Sequence, residues 1–577
     1  MAQEIYDPLD AYVNVFKDRF RHVAEATFAQ LAAESHVDVE ANRKTCHKIY
    51  NTAQSANNAA SRLSWWTMLC IVLWITVIVG ATLTIVNYDD WTPECVVATG
   101  TATAAVLLML FLRVHPKLSA LRKLHLDETS HVSSLKSEAL KQMEPLNRLY
   151  DWDLFTRMMA KTVPNLEFDP YFTTRRLAEM EHVYGWDSSF NDERSVMSCR
   201  SGALNGNPLV ICRTRKMIMG SKTYTGYKEI FWKTYEQDGN GNHVVVSHTE
   251  TLSAEYTAPY PEYYELTRVI YGNTAAPDLV FDRRRSGLAS KQGSLAFKWK
   301  KRKLRNKARN LSNGDYAMMT NEDYETMFDT SNRNSNQQYA LLFTPMAQQS
   351  MTHLLQDDEN GYGDDFDFEK NKMINIIVSG HLQELDLDMH PKHYSNFDYD
   401  LAEKNFYEIS AQYFKAIYLA LAPLLCIPMY RQMRSRESIY GRDMPQHSAF
   451  WEHEALANLW GEEHFRAPDC VTHCILKTEQ VDEDGDASTI VVYAHGYRSE
   501  QRVAYIDVMG GDGRYHEVPV CWDEYIPVTG TGRLHIKEDN TRTNENAATQ
   551  QQRFDHIDKV LSSSNAMLYR RHIASSL

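Results

Sequence analysis

Two uncharged apolar runs, Leu63–Val86 and Cys95–Leu112, constrain this chain more than any other feature of its sequence. A helix needs about 20 apolar residues to cross a hydrocarbon core of roughly 30 Å, and in lipid each backbone polar group must be paired within its own segment. The first run exceeds this length and the second just reaches it. The sequence therefore predicts a transmembrane helical hairpin over residues 63–115. Two buried core helices of a soluble protein are the alternative.

Charge on the two sides of the hairpin predicts its orientation. The connection Asn87–Glu94 carries acidic residues and no Lys or Arg, whereas Lys48 and Arg62 precede the first run and Arg113 and Lys117 follow the second. The positive-inside rule places such cation-rich flanks in the cytoplasm. We therefore expect a multi-pass protein of the cell (inner) membrane with both termini cytoplasmic.

Composition narrows the function classes. The net charge of −14 at pH 7 argues against nucleic-acid binding by the chain as a whole. The polar stretch before Leu63 is unlike a cleavable signal peptide. Nine cysteines, an odd number scattered along the chain, do not form a disulfide framework. Reduced thiols are expected in the cytoplasm.

Helical periodicity extends on both sides of the hairpin. Tyr12, Phe16 and Phe20 recur at a spacing of four and form an apolar stripe. The stripe after the second run contains Leu118, Leu121, Leu124, Val132, Leu135, Leu146 and Leu149. These helical arms, residues 1–62 and 116–162, would pack antiparallel into a short cytoplasmic stalk. They could equally turn their stripes toward the soluble domains, because amphipathicity does not identify its partner.

The rest of the chain predicts an α+β fold, in which antiparallel-sheet-rich cytoplasmic domains follow the hairpin and its arms. Alternating apolar residues bounded by turn residues favour strands in much of this region. We expect a β-rich domain over 163–315 ending in a basic stretch, a mixed α/β domain over 316–440, a C-terminal β-rich module over 441–540, and a polar tail over 541–577.

Local patterns predict particular elements within these domains. Asp-Gly and Asn-Gly pairs in Gln237–Asn242 predict a β-hairpin, because these residues accept the positive φ of a tight turn. Gly510–Gly513 marks another turn. Trp451–Trp460 predicts a helix and Tyr339–Phe343 a strand, and the end of the polar tail predicts a short terminal helix.

A short apolar segment, Ala416–Met429, contains Pro423 and Pro428. It is too short for a comfortable span and is interrupted by proline. We interpret it as buried or interfacial, with a third membrane span as the alternative.

The basic run Phe297–Arg309 is the sharpest local feature outside the apolar runs, with eight basic residues and no acidic one. Near a bilayer such a run is attracted to anionic headgroups by about 1 kcal/mol per basic residue, and Phe297 and Trp299 could enter the interface. The predicted anionic-lipid or polyanion-binding residues are Lys298, Trp299, Lys300, Lys301, Arg302, Lys303, Arg305, Lys307 and Arg309. Nucleic acid is the other polyanion considered, and a solvated helix face or loop is the plain alternative.

Residue types that ligate metals cluster late in the chain, without a metal-site pattern. The cluster consists of His453, Glu454, His464, Cys470, His473 and Cys474. It contains no Cys-x-x-Cys pair and no second His at metalloprotease spacing, so core thiols are the simpler interpretation. The chain also has no Gly-Lys-Ser/Thr phosphate loop and no Gly-x-Ser-x-Gly nucleophile motif. We assign no catalytic or metal-binding residue and no cofactor, and favour a binding protein over an enzyme.

Five phrases of the sequence resemble an uncharacterised, mycoplasma-type bacterial membrane-protein family. They are Pro259–Tyr264, Ile270–Leu279, Leu342–Gln348, Gly361–Phe366 and Ala422–Tyr430. The resemblance extends from the apolar runs to about residue 530. It implies two N-terminal transmembrane helices and a large cytoplasmic domain of unknown function. It transfers no functional residue.

These features together predict a membrane-anchored cytoplasmic interaction or scaffold protein that docks on anionic lipid through its basic stretch. The expected partners are the lipid bilayer, anionic headgroups and other proteins, and nucleic acid is not expected. Two alternatives stay open. One is a membrane-bound, metal-dependent enzyme that uses His453, His464, Cys470 and His473, and the other is an accessory subunit of a transport or envelope complex.

Overall fold

The computed structural model describes residues 6–86, 92–237, 243–309, 316–432, 447–484, 487–538 and 566–576. The protein is α+β, about 49% helix and 31% strand. It divides into two compact units, one made of Met1–Val23, Asp151–His390 and Ser410–Leu577, and the other of Ala24–Tyr150 and Pro391–Ile409.

Both apolar runs lie in long helices of the second unit. Helix α3 spans Val39–Val86. A second helical rod comprises α4 (Pro93–Met109), a π-helical turn (Leu110–Val114) and α5 (His115–Asn147). Each rod contains a stretch long and apolar enough to cross a membrane, and only 11% and 6% of these two stretches is buried. Such low burial argues against the core helices of a soluble protein. The acidic connection falls largely on residues 87–91, which lie outside the described part of the chain.

The two rods contact each other in antiparallel orientation along their length. At the polar end, Gln142 Nε2 donates a hydrogen bond to Thr45 Oγ1 at 3.1 Å, and Ile49 packs with Ala139. Within the apolar runs and just after the second, a buried cluster consists of Cys70, Val77, Leu110 and Val114. The parts of the arms next to the apolar runs, residues 39–62 and 116–147, are therefore not separate helices, since each continues an apolar run without a break.

The N-terminal apolar stripe faces the soluble part, which is the alternative to packing in a stalk. Helices α1 (Pro8–Ala11) and α2 (Lys17–Ser35) flank a π-helical segment, Tyr12–Phe16. The Phe20 ring stacks on Phe414 of helix α12 (Tyr399–Leu425) at 4.3 Å between centroids. Tyr12 stacks on Tyr418 of the same helix at 5.7 Å. These residues all belong to the first unit, so the stripe packs on the soluble part.

An eight-stranded antiparallel sheet forms the centre of the first unit, in the order β1-β2-β3-β4-β8-β7-β5-β6. Its strands are β1 (Leu166–Phe168), β2 (Arg194–Leu204), β3 (Asn207–Gln237), β4 (His243–Gly272), β5 (Val280–Arg283), β6 (Thr330–Ser331), β7 (Phe366–Asn371) and β8 (Ile374–Ser379). A five-stranded antiparallel sheet, in the order β12-β13-β11-β10-β9, packs with it. Its strands are β9 (Ile475–Asp484), β10 (Ala487–Met509), β11 (Tyr515–Glu538), β12 (Ala566–Tyr569) and β13 (His572–Ser576).

Each sheet extends into a long two-stranded ribbon. Strand β2 pairs with β3 only as far as Lys216, and β8 pairs with β4 only from Val269. Residues 217–237 and 243–263 therefore form a first ribbon. Strand β9 pairs with β10 only as far as His495, so residues 496–509 and 515–528 form a second ribbon from β10 and β11. The inner faces of the two ribbons pack through Ile230, Leu252, Ala254, Val518 and Val520.

Both predicted hairpins have the expected strands. The turn at Gly510–Gly513 connects β10 and β11, with the Gly510 N–H donating to the Arg514 carbonyl at 2.8 Å. The turn between β3 and β4 involves Asp238–Asn242, which lies outside the described residues.

Helices complete the soluble part. They are α6 (Leu154–Thr162), α7 (Thr174–His182), α8 (Leu295–Arg309), α9 (Glu322–Phe328), α10 (Asn336–Leu342), α11 (Pro345–Gln356) and α13 (Phe450–Trp460). The predicted helix at Trp451–Trp460 is confirmed by α13. The segment Ala416–Met429 lies mostly in α12, where Leu421, Ala422 and Leu424 are fully buried. No third candidate span occurs among the described helices.

Two local predictions were wrong. Residues 339–342 belong to helix α10, and Phe343 ends it. This segment is not a strand, because Ser335 caps a helix there and its Oγ accepts the Gln338 N–H at 3.3 Å. The end of the tail forms β12 and β13 instead of a short helix. Strand β13 pairs with β11 from Leu534↔Ser576 to Glu538↔His572, which buries one of its faces.

Candidate functional site

The basic run folds as helix α8. Ser294 begins the helix, since its Oγ accepts the Phe297 N–H at 3.2 Å and its carbonyl oxygen accepts the Lys298 N–H at 3.0 Å. Phe297 and Leu304 are buried and hold one face of the helix against the soluble part. The sequence interpretation of Phe297 as an interface residue is therefore wrong, because this side chain belongs to the core.

Three of the predicted binding cations flank the buried face and are already paired. Lys300 lies 2.6 Å from Asp329, and Lys301 lies 2.6 Å from Asp323. Arg305 donates from Nε to Glu322 at 2.8 Å.

The partners of these cations come mainly from the acidic first turn of α9. Hydrogen bonds from Arg305 and Lys301 lower the pKa of Glu322 to about 2. The hydrogen bond to Asp323 is the main cause of the raised pKa of Lys301. These pairs attach α8 to α9, so Lys300, Lys301 and Arg305 are less available to an external anion than the sequence suggests.

The opposite side of α8, the outer face, combines exposed apolar and cationic side chains. Leu295 is 85% exposed and Trp299 66% exposed, and their spacing of four residues places them on one side of the helix. The exposed cations on this side are Lys298, Arg302, Lys303 and Arg309. None of these four forms an ion pair with a carboxylate in the described part of the chain. Lys303 Nζ lies 5.5 Å from the centroid of the Trp299 ring.

Lys307 is exposed and takes an intermediate position. Its Nζ lies 4.4 Å from the Tyr316 ring centroid. The outer face also includes one residue that sequence reasoning missed, Leu295, which lies just before the basic run. The helical spacing between Leu295 and Trp299 was the signal that could have identified it.

An amphipathic helix of this type can bind to the surface of an anionic bilayer or to another polyanion. Cations at the edges would contact phosphate groups, and the Trp and Leu side chains would enter the apolar boundary. Tryptophan is suited to this position because its ring is apolar with one polar N–H.

The side chains of the metal-ligand cluster between His453 and Cys474 do not come together around one point. His453 is buried on α13 and its Nε2 lies 2.8 Å from Ser448 Oγ. Burial lowers the pKa of His453 to about 4. Glu454 accepts hydrogen bonds from Asn191 Nδ2 at 2.9 Å and the Val196 N–H at 3.0 Å.

His473 and Cys474 share one partner, since Glu462 Oε2 accepts the Cys474 N–H at 3.0 Å, yet the ligand atoms of the cluster do not form a group of three that could hold a metal ion. His473 Nδ1 lies 2.7 Å from Glu462 Oε1. Cys470 and Cys474 place their sulfur atoms 3.7 Å apart, and burial is the main cause that raises the pKa of Cys474 to about 12. A neutral buried thiol is a poor metal ligand.

Another group of possible metal ligands, which sequence reasoning missed, consists of Asp7, Asp10 and His353. Asp7 is already engaged, since Oδ1 accepts the Leu9 and Asp10 N–H groups and Oδ2 lies 3.1 Å from His353 Nδ1. We regard it as a helix cap.

No protein-family model, curated protein or solved structure matches the chain. The resemblance to the mycoplasma-type family therefore stays an expectation from sequence, and the geometry of α8 is the basis for a functional proposal.

Proposed function

We propose that this protein is a membrane-anchored cytoplasmic interaction protein that docks on anionic lipid through the outer face of helix α8. One observation carries the proposal. Trp299 and Leu295 are exposed on the same side of the helix as four cations that form no ion pair within the described residues. An exposed Trp beside unpaired cations is typical of helices that lie in a membrane interface.

The anchor supports the same assignment. Two helices are long and apolar enough to span a membrane. Cations flank the apolar runs on the outer ends, so both termini and the soluble part, including α8, would lie on the cytoplasmic side of a multi-pass protein in the cell membrane. The anionic lipids that attract basic segments are concentrated in that leaflet.

The charge distribution makes the outer face of α8 the part of the chain that would bind an anionic surface. With a net charge of −14, most of the chain is repelled by an anionic surface. The outer face reverses this locally, because the inner cations Lys300, Lys301 and Arg305 are neutralised by carboxylates in α9 and just after it, while the outer ones are not. Docking would therefore be confined to one side of α8 and weakened by salt.

The test uses the full-length chain reconstituted in vesicles. Asn306 is exposed on the outer face, so an Asn306→Cys variant can carry the environment-sensitive fluorophore NBD. Cys95 and Cys521 are the exposed cysteines and are first replaced by Ser. We expect a blue-shifted NBD emission in vesicles with anionic lipid and not in neutral ones, reversed by high salt.

A matched pair of triple variants identifies the surface. Lys298→Glu/Arg302→Glu/Lys303→Glu should abolish the blue shift. The control changes three exposed cations elsewhere by the same total charge, Lys161→Glu/Lys222→Glu/Arg514→Glu, and should retain it. Equal emission in neutral and anionic vesicles, or an equal effect of both triple variants, would contradict the proposal.

A further inference from the structure

The first ribbon has one covered and one uncovered face. Alternate residues of a strand point to opposite faces, and the even-numbered residues of β3 from Gly226 to Thr234 point toward the second ribbon. The odd-numbered residues are exposed. Among them Tyr227, Phe231 and Tyr235 are 67%, 71% and 77% exposed. Three exposed aromatic rings in one row of a strand form a contact surface that water solvates poorly.

Charges alternate with the aromatic rings in a symmetric order. Glu229 and Lys233 are exposed and lie on either side of Phe231 in the same row. The row therefore consists of Tyr227, Glu229, Phe231, Lys233 and Tyr235. It has aromatic rings at its ends and centre, and opposite charges at equivalent distances from the centre.

The partner strand adds a second row with small side chains, four of them polar. Cross-strand pairs in the register share a face, and Phe231 pairs with Thr249. The second row contains Val245, Ser247, Thr249, Thr251 and Ser253. All five are exposed and none is bulky, so a second sheet can approach this face closely.

We propose that this face binds the same face of a second copy of the chain, with a two-fold axis at Phe231. The axis would lie in the contact plane, perpendicular to the strands, and would place each row over its own copy in reverse direction. Glu229 would then meet Lys233 of the second copy twice, Tyr227 would meet Tyr235, and Phe231 would meet itself. A two-fold interface requires this self-complementary arrangement.

The size of the face indicates a dimer that depends on membrane attachment. Tyr227 and Tyr235 are separated by about 27 Å along the strand. A row of this length on a two-stranded ribbon covers less than the about 800 Å² per partner of a standard interface. Confinement of two copies to one bilayer raises their effective concentration and compensates for a small contact.

The first experiment measures energy transfer between full-length copies in vesicles. In a Cys95→Ser background, the exposed Cys521 on the second ribbon accepts a donor or an acceptor dye. Pro519 lies opposite Gly226, and Trp522 contacts Tyr256, so each label lies roughly 20 Å along the strands from the axis. Together with three sheet spacings across the dimer, this places the two labels about 50 Å apart, within reach of energy transfer. Unmodified copies should show energy transfer, which unlabelled protein should reduce by competition.

Charge reversal then tests the pairing. Glu229→Lys or Lys233→Glu alone places like charges together and should lower the association constant of the dimer about tenfold or more. Mixing the two single variants, or combining both changes in one chain, restores opposite charges and should restore energy transfer. Glu517→Lys, on the outer face of the second ribbon, is the matched control and should have no effect.

Crosslinking tests the position of the axis. With Cys95 and Cys521 replaced by Ser, Phe231→Cys should form an intermolecular disulfide on oxidation by copper phenanthroline. Tyr227→Cys should crosslink with Tyr235→Cys and not with itself. Monomeric unmodified protein, or dimers insensitive to Phe231→Glu and to the charge reversals, would overturn the proposal. Circular dichroism shows that each variant retains its fold.

Discussion

The guanidinium of Arg570 donates from Nη1 to both carboxylate oxygens of Glu452, each at 3.0 Å, in the interior of the soluble part. Its Nη2 donates to Asp388 Oδ1 at 2.6 Å. Arg570 lies in the turn between β12 and β13, and Glu452 lies on α13. One buried cation thereby connects the last described hairpin to a core helix and to a loop.

Removing this cation alone should be far more costly than removing all three charges of the network. Arg570→Met leaves two carboxylates buried without their partner, and breaking a buried ion pair costs about 3–5 kcal/mol. Arg570→Met/Glu452→Met/Asp388→Asn leaves no unpaired charge there and should recover much of the loss. Thermal unfolding in detergent measures both, and an Arg570→Met variant as stable as the unmodified protein would contradict the assignment.

His453 predicts a dependence of stability on acid. Its pKa of about 4 in the folded state lies below its ordinary value of 6.5. Between these values the unfolded chain binds more protons than the folded one. This contribution is therefore complete above pH 6.5 and is lost as the pH falls to 4, by about 3 kcal/mol in total.

The measurement compares two histidine variants. His453→Gln should show a smaller decrease in melting temperature between pH 6.5 and pH 4.5 than the unmodified protein. His464→Gln, at an exposed position, should follow the unmodified protein. Parallel curves for all three proteins would mean that His453 does not supply this slope.

Gly226 predicts where the ribbons are most closely packed. A Cβ at Gly226 would overlap the carbonyl oxygen of Pro519 on the second ribbon, whereas one at Gly220 would meet only the movable carboxylate of Glu262. Gly226→Ala should therefore destabilise the ribbon contact by about 1–3 kcal/mol, and Gly220→Ala should cost much less. Hydrogen exchange of amides in residues 224–256 reports this difference. Equal protection in both variants would contradict it.

Asn42 connects helix α3 to the segment 397–399 through hydrogen bonds, within the unit that contains the long helices. Its Nδ2 donates to the Phe397 carbonyl at 2.9 Å and its Oδ1 accepts the Tyr399 N–H at 3.0 Å. Asn42→Leu leaves these backbone groups without partners and should cost about 1–3 kcal/mol. Asn58→Leu, at an exposed position of the same helix, is the matched control. Faster hydrogen exchange over residues 391–409 in Asn42→Leu alone is the expected result.

Patterns that depend on local chemistry were predictable from the sequence. A long uncharged run has no stable state in which its backbone is unpaired, so Leu63–Val86 had to be a helix wherever it lies. Glycine turns likewise determined the β10–β11 hairpin. The strand predicted at Tyr339–Phe343 was wrong because one cap, Ser335, outweighs the β-propensity of the residues that follow it.

Patterns that depend on distant partners were not predictable. Strand β13 pairs with β11 after a long intervening segment. Its own sequence is too short to favour a strand over a helix. In the candidate site, the basic run was evident from composition. Which of its cations are neutralised depends on Glu322, Asp323 and Asp329, whose proximity arises only when α8 packs against α9.

The unbroken helix Val39–Val86 has a mechanical consequence. Its 48 residues make a rod about 72 Å long, of which the polar part before Leu63 accounts for about 36 Å. This helix contains no proline and only one glycine, Gly80, so it has no joint at which bending would be absorbed. A change in the tilt of the apolar half therefore moves Val39, at the other end of the rod, through a large distance. The polar half acts as a rigid spacer of fixed length.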